Sequence, residues 1–147
     1  MIELIELTMD NFEECIKLQV HESQLGFVAS NAYSLSEAFV DKVSEPRAIY
    51  ADGKMVGFIM YYYEPDTETG TISRLMIDKH FQKNGYAREA MEMVINLFKE
   101  MQECKYIELS YCKDNKYGAS FYKKMGFVDT GELAENGEVV CKIALKK

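Results

Sequence analysis

One long amphipathic segment between two strand-like segments constrains the fold more than any other part of the sequence. Across residues 85–103, apolar side chains recur every three or four positions, which predicts a helix with one apolar face. The flanking residues 71–77 and 106–111 have the composition of β-strands. Because a strand–helix–strand connection is a right-handed crossover, the two strands should lie side by side and nearly parallel.

The rest of the chain alternates between strand and helix patterns without a linker or repeat, so residues 1–147 should form a single domain. Asp10 is the predicted cap of the first helix, and Ser34 with Glu37 forms a predicted capping box for the second. The predicted strands are residues 2–7, 48–51, 55–63, 71–77, 106–111, 127–130 and 139–145, and the predicted helices are residues 10–20, 35–43, 85–103 and 115–125. The pattern predicts an α+β fold, one mixed sheet of about seven strands with helices on both faces.

Charge and cysteine usage restrict the partners. The chain has 17 Lys and Arg against 24 Asp and Glu, a net charge of −7. Such a chain should repel nucleic acid and anionic membranes and attract small cations. Its 4 cysteines include no Cys-x-x-Cys pair and its 2 histidines adjoin none of them, so no metal site is predicted. With no signal-like N-terminus and no apolar run of bilayer length, the sequence predicts a cytoplasmic location.

Residues 81–88, between a predicted strand and the long helix, have the features of a phosphate-binding loop. Gly85 lacks a Cβ, so its backbone can approach a ligand closely, and Ala87 is also small. The first N–H groups of a helix are unpaired and favour an anion, and Lys83 and Arg88 add positive charge. The loop would therefore suit a pyrophosphate, although an ordinary strand-to-helix turn with a solvated Lys83 accounts for the same residues. A Rossmann dinucleotide-binding fold is disfavoured, because its glycine-rich loop follows the first strand whereas this loop follows the fourth.

A second motif lies about thirty residues further along, Asn115 followed by the sequence Phe-Tyr-Lys-Lys-Met-Gly-Phe at residues 121–127. Together the two segments resemble the GNAT superfamily of N-acetyltransferases. Gln82, Gly85 and Ala87 match the family's Gln/Arg-x-x-Gly-x-Gly/Ala motif, with Ala in the last position. The predicted strand order is also that of the GNAT fold, so the resemblance covers nearly the whole chain.

The resemblance implies acetyl-CoA as co-substrate, bound without a metal in a V-shaped opening between the fourth and fifth strands. Asn115 would hydrogen-bond the pantetheine, and Lys124 would reach the nucleotide phosphate. The main-chain contacts implied for the acetyl and pantetheine arm are those of Leu75, Met76 and Ile77, and the loop residues implied around the pyrophosphate are Gln82, Lys83, Asn84, Gly85, Tyr86, Ala87 and Arg88.

Tyr122 is the predicted catalytic residue, because the resemblance places it beside the thioester sulfur. A tyrosine with a pKa near ~10 can protonate a thiolate whose acid has a pKa near ~8.5 only if it is well positioned. The other interpretation of Tyr122 is a core aromatic. No base is assigned, since this chain has Ser73 where some family members carry a carboxylate; Glu22 or Glu64 acting through water, or solvent itself, are the alternatives.

The leading hypothesis is an acetyl-CoA-dependent N-acetyltransferase that acts on a small cationic amine. Residues 26–31, followed by Ser34, resemble bacterial spermine/spermidine acetyltransferases, which implies a polyamine acceptor. The acidic residues Glu22 and Glu64 lie in segments that should rim the amine side, where they would attract a polycation. A protein N-terminal or lysine acetyltransferase is the alternative within the enzymes. A non-catalytic acyl-CoA-binding module is the alternative from another class, and the presence of Tyr122 argues against it. By analogy with the superfamily, residues 139–145 would form a homodimer interface.

Overall fold

Seven strands form one sheet in the order β1-β2-β3-β4-β5-β7-β6. The structure, a computed structural model, describes residues 1–147. The strands are β1 Ile2–Glu6, β2 Glu45–Ala51, β3 Lys54–Glu64, β4 Thr69–Ile77, β5 Tyr106–Tyr111, β6 Val128–Leu133 and β7 Val139–Ala144. Every neighbouring pair is antiparallel except β4 and β5, which are parallel. The mixed seven-stranded sheet and the parallel crossover are therefore confirmed.

Helices cover both faces of the sheet, as the sequence predicts. They are α1 Phe12–Lys17, α2 Asn31–Asp41, α3 Tyr86–Glu100 and α4 Lys116–Lys124. Alternation along β3 separates two apolar clusters, because successive strand residues point to opposite faces. Ile59 packs in one cluster with the apolar face of α3, and side chains of α4 pack against it. Phe58 and Met60 pack in the other cluster with residues of α1 and α2. No helix is long and apolar enough to cross a bilayer.

The first helix differs from the prediction at both ends. It begins after Asn11 rather than at Asp10, and it ends at Lys17 instead of continuing to residue 20. The side chain of Asn11 makes two local hydrogen bonds, accepting from the backbone N–H of Thr8 at 2.8 Å and donating to the carbonyl of Glu6 at 3.0 Å. These contacts join β1 to α1 through a tight turn, so Asp10 lies in the turn and does not cap the helix.

The second helix also begins earlier than predicted, and the Ser34–Glu37 capping box is wrong. Ser30 is the N-cap, with its hydroxyl accepting the backbone N–H of Tyr33 at 3.1 Å. Ser34 is buried one turn inside the helix. Its hydroxyl and the Glu37 carboxylate both accept hydrogen bonds from Arg74 on β4, each at 3.1 Å. Arg74, which is distant in sequence, thus binds the two side chains that the local pattern assigned to the capping box.

The sheet opens between β4 and β5. Only Thr69, Gly70 and Thr71 of β4 pair with β5, and beyond them β5 pairs with β7 alone. The register between β3 and β4 shifts at Ser73, which forms a β-bulge just beyond Thr71, the last β4 residue that pairs with β5. Past Thr71, one backbone edge of β4 therefore has no strand partner. This divergence is the V-shaped opening that the sequence resemblance implies.

Candidate active site

A cavity of about 720 Å³ lies in the opening between β4 and β5. Its walls are β4, β5, the loop before α3, the first turns of α4, the chain before α2 and the turn between β6 and β7. The predicted site residues that line it are Leu75, Met76, Ile77, Gln82, Lys83, Gly85, Tyr86, Ala87, Arg88, Asn115 and Tyr122. The fold thus brings two segments that are separate in sequence, the loop before α3 and helix α4, to one cavity.

The loop before α3 has the geometry of an anion-binding turn. Lys83 and Gly85 both have left-handed backbone conformations, with φ of 67° and 80°. Gly85 precedes the first residue of α3, and no side chain caps that end of the helix. A Cβ at Gly85 would meet no protein atom within 4 Å, so this backbone faces open space. Unpaired helix N–H groups at an open surface favour a bound anion.

The same loop is fastened to the end of β4 and to the chain before α2. Asp78, directly after β4, is buried and accepts backbone hydrogen bonds from Gln19 and His80, each at 2.9 Å. Burial by itself would raise the pKa of Asp78, but these hydrogen bonds lower it below the ordinary 3.8, so the carboxylate is charged at neutral pH. Gln82 donates to the Ile77 carbonyl and to the Gln24 side chain, both at 2.9 Å. The loop conformation is therefore set by contacts on both sides.

Asn115 caps α4 and keeps its amide nitrogen available. Its Oδ1 accepts the backbone N–H of Gly118 at 2.9 Å. A Cβ at Gly118 would come within 2.5 Å of the Asn115 Nδ2, so only glycine allows the amide to fold over the first turn of the helix. With Oδ1 engaged in the cap, the Nδ2 group of Asn115 is the donor that it can offer to a ligand in the cavity.

Tyr122 has a packed ring and a free hydroxyl. The ring lies among those of Tyr111, Phe121 and Phe127, with centroids 5.8, 5.2 and 6.3 Å away. No protein group hydrogen-bonds its hydroxyl. Since every fully buried side-chain nitrogen or oxygen of this chain has a hydrogen-bond partner, the Tyr122 hydroxyl is not fully buried and keeps contact with solvent. Burial of the ring raises the pKa of Tyr122 above its ordinary 10, which keeps the phenol protonated at neutral pH. Tyr122 can therefore donate a proton or a hydrogen bond into the cavity.

Four predicted site residues lie outside the cavity lining. The Asn84 side chain turns back to the Phe81 carbonyl at 2.9 Å. Lys124 lines a smaller cavity of about 300 Å³ that also contains Arg88. Glu22 is exposed in a short 3₁₀ turn, Glu22–Gln24, and Glu64 is exposed at the end of β3, where it caps the 3₁₀ turn Pro65–Thr67. The two predicted acidic residues are thus not brought together with the other site residues.

The structure adds two charged side chains that sequence reasoning missed. Arg74 on β4 lines the cavity and forms an ion pair with Glu37 at 3.1 Å. Glu138, at the start of the β7 side of the last hairpin, also lines the cavity. The turn at Asn136 was visible in the sequence, but its position beside the end of β5 depends on the β5–β7 pairing, which no local pattern reveals. No group of three or more His, Cys, Asp or Glu side chains is placed to hold a metal ion.

Comparison with known proteins gives one family and related enzymes. Residues 3–127 match the sequence model described as "Acetyltransferase (GNAT) family". The chain is 32% identical over 145 residues to the probable spermine N(1)-acetyltransferase of Bacillus subtilis subsp. natto, covering 95% of each chain. It is 31% identical to the spermine/spermidine N(1)-acetyltransferase of Bacillus subtilis, again over 95% of each chain.

Solved structures share the fold at lower identity. The spermidine N-acetyltransferase of Vibrio cholerae, in complex with CoA and spermine, superposes with a TM-score of 0.76 at 16% identity over 97% of this chain and 95% of that one. The PaiA N-acetyltransferase of Thermoplasma acidophilum, in complex with coenzyme A, gives 0.72 at 16% identity over 98% and 99%. At these identities the similarity establishes the architecture of the chain.

Proposed function

This chain belongs to the acetyltransferase (GNAT) family, and on that premise we propose that it transfers the acetyl group of acetyl-CoA to a polyamine such as spermine or spermidine. Acetyl-CoA-dependent N-acetyl transfer follows from the family and from its named relatives. The observation that supports the polyamine is that two relatives named for it align over 95% of this chain at 32% and 31% identity.

We expect the cavity to hold the two ends of the co-substrate at separate places. The N–H groups of residues 83–88 would hold the pyrophosphate, with Lys83 adding positive charge. The unpartnered backbone edge of β4, from Leu75 to Ile77, would run beside the pantetheine arm. The Nδ2 group of Asn115 would donate to a pantetheine carbonyl. These roles agree with the loop conformation and with the capping of α4.

The chemistry then needs an oxyanion donor and a proton for the leaving group. A neutral amine nitrogen attacks the thioester carbonyl carbon; the new C–N bond forms, the C–S bond breaks, and the amine releases its proton to water. A backbone N–H of β4 beside the bulge at Ser73 would stabilise the oxyanion. Tyr122 would give its phenolic proton to the thiolate and regain one from solvent. No carboxylate on β4 takes part, because the bulge residue is a serine.

The net charge of the whole molecule, rather than any single residue of the cavity, supports a cationic acceptor. The net charge of −7 attracts polycations at long range, and exposed charges act over a screening length of ~10 Å at 0.1 M salt. Glu22 and Glu64 lie outside the cavity lining, where they would add to this long-range attraction.

An acceptor panel tests the proposal. Thiol release from acetyl-CoA should be measured with spermidine, spermine, butylamine and a peptide with a free N-terminus. We expect kcat/KM for both polyamines to exceed that for butylamine and for the peptide by about tenfold or more, and their KM to rise with salt more steeply than that of butylamine. A peptide that proves the better acceptor would replace the polyamine proposal with protein acetylation. Absence of thiol release with every amine would favour a non-catalytic acyl-CoA-binding module.

A further inference from the structure

Two charged side chains line the cavity without an ion-pair partner, and they carry opposite charges. Arg74 is paired with Glu37 at 3.1 Å, and Arg88 is paired with Glu92 at 3.0 Å. Lys83 and Glu138 form no ion pair. Lys83 is in the loop before α3, whereas Glu138 belongs to the β6–β7 hairpin beside the end of β5. The cavity is therefore polarised, with a free cation on the phosphate-binding loop and a free anion on the hairpin.

Glu138 is fixed in place by three hydrogen bonds. Its backbone N–H donates to Asn136 Oδ1 at 3.0 Å, and its carbonyl accepts the N–H of Ala134 at 2.9 Å. Its side-chain Oε1 accepts the hydroxyl of Ser110 on β5 at 2.7 Å. The second carboxylate oxygen, Oε2, has no protein partner. A carboxylate that is held by one oxygen and unpaired at the other can accept a charged hydrogen bond from a ligand.

The hairpin is linked to the proposed acid through β5. Val139, the neighbour of Glu138, is the register partner of Tyr111 on β5. The ring of Tyr111 in turn packs against that of Tyr122 at 5.8 Å. Glu138 is thus joined to the ring of Tyr122 through one strand pair and one ring contact.

We propose that Glu138 binds a second, non-reacting ammonium group of the acceptor, and that Ser110 orients the carboxylate for this contact. The inference rests on the proposed function, since spermine and spermidine carry further ammonium groups that a monoamine lacks. A linear polyamine places its next nitrogen a few methylene groups from the reacting one. Glu138 would thereby favour polyamines over monoamines and would fix which nitrogen reaches the thioester.

The test is Glu138→Gln, because the amide keeps an oxygen for Ser110 and removes only the charge. The steady-state constants should be measured for spermidine and for butylamine, and acetyl-CoA affinity by calorimetry. We expect KM for spermidine to rise about tenfold with kcat changed less than threefold. Values of kcat/KM for butylamine and of Kd for acetyl-CoA should stay within twofold of the wild type. Glu135→Gln is the matched control on the same turn, where an exposed glutamate outside the cavity lining should leave all constants unchanged.

Ser110→Ala provides a second variant that keeps the charge. It should raise KM for spermidine by a smaller factor than Glu138→Gln does, because the carboxylate remains but is no longer oriented. If the wild type acetylates spermidine and Glu138→Gln leaves its KM within twofold, the inference is overturned while the proposed function stands. An equal loss for spermidine and butylamine would also overturn it, since a second ammonium would not be what Glu138 recognises. If the wild type acetylates no polyamine, both are rejected together.

Discussion

Replacing Tyr122 with phenylalanine is expected to lower kcat by about 10²-fold or more while acetyl-CoA affinity stays within a few-fold of the wild type. The substitution keeps the ring that packs against Tyr111, Phe121 and Phe127 and removes only the hydroxyl, which no protein group binds. The thiolate would then leave without a positioned proton donor. Rates from thiol release and affinities from calorimetry separate the two effects.

A matched control for this substitution is Tyr63→Phe. Tyr63 is also half-buried, packs against the same apolar cluster and lies outside the cavity lining, so its loss of a hydroxyl should leave kcat unchanged. Because burial raises the pKa of Tyr122 above 10, wild-type kcat should show no decline attributable to phenol ionisation below that pH. A loss of only a few-fold in Tyr122→Phe would mean that solvent protonates the thiolate and that Tyr122 is a core aromatic.

The second large effect is expected for Gly85→Asp, which should weaken acetyl-CoA binding by about 10²-fold. The added carboxylate would lie at the start of α3, where it would both fill the space of the pyrophosphate and repel it. The fold should survive, because a Cβ at this position meets no protein atom within 4 Å and the loop is exposed. Calorimetric titration with acetyl-CoA measures the affinity, and thermal unfolding reports on the fold.

Gly53→Asp is the control that separates the loss of acetyl-CoA affinity from the effect of backbone strain. Gly53, in the turn between β2 and β3, has φ of 85°, close to the 80° of Gly85, and its Cβ would likewise meet no atom within 4 Å. Both variants should therefore lose similar stability, about 1–2 kcal/mol for a side chain in the left-handed region. Only Gly85→Asp should lose cofactor affinity. Equal affinity of the two variants for acetyl-CoA would remove the loop from the site.

Local patterns in the sequence predicted most of the fold. The α3 stripe and the strands around it require the parallel β4–β5 crossover, and the structure confirms it. The starts of α1 and α2 were wrong because several residues nearby can cap a helix equally well. Ser30 and Ser34 are chemically equivalent caps, and the choice between them depends on Arg74, which binds Ser34 from 40 positions away. A local pattern carries no information on such a partner.

Site residues were likewise predicted where a local motif marked them and missed where their position depends on long-range pairing. Residues on the loop before α3 and at the start of α4 were identified from motifs, and the fold places them around one cavity. Glu138 was missed because its position depends on the pairing of β7 with β5, and Glu22 and Glu64 were chosen by charge without knowledge of which strand ends meet. Acidic residues are frequent on this chain, so charge alone could not distinguish the one carboxylate that lines the cavity.

A crystal structure of this protein with CoA and spermidine would test the central claim most directly. We expect the pyrophosphate oxygens within hydrogen-bonding distance of the N–H groups of residues 83–88 and the CoA sulfur beside the Tyr122 hydroxyl. Spermidine should enter the opening between β4 and β5, with one nitrogen facing the sulfur and another on the carboxylate of Glu138. CoA bound outside that opening, or its sulfur remote from Tyr122, would contradict the account.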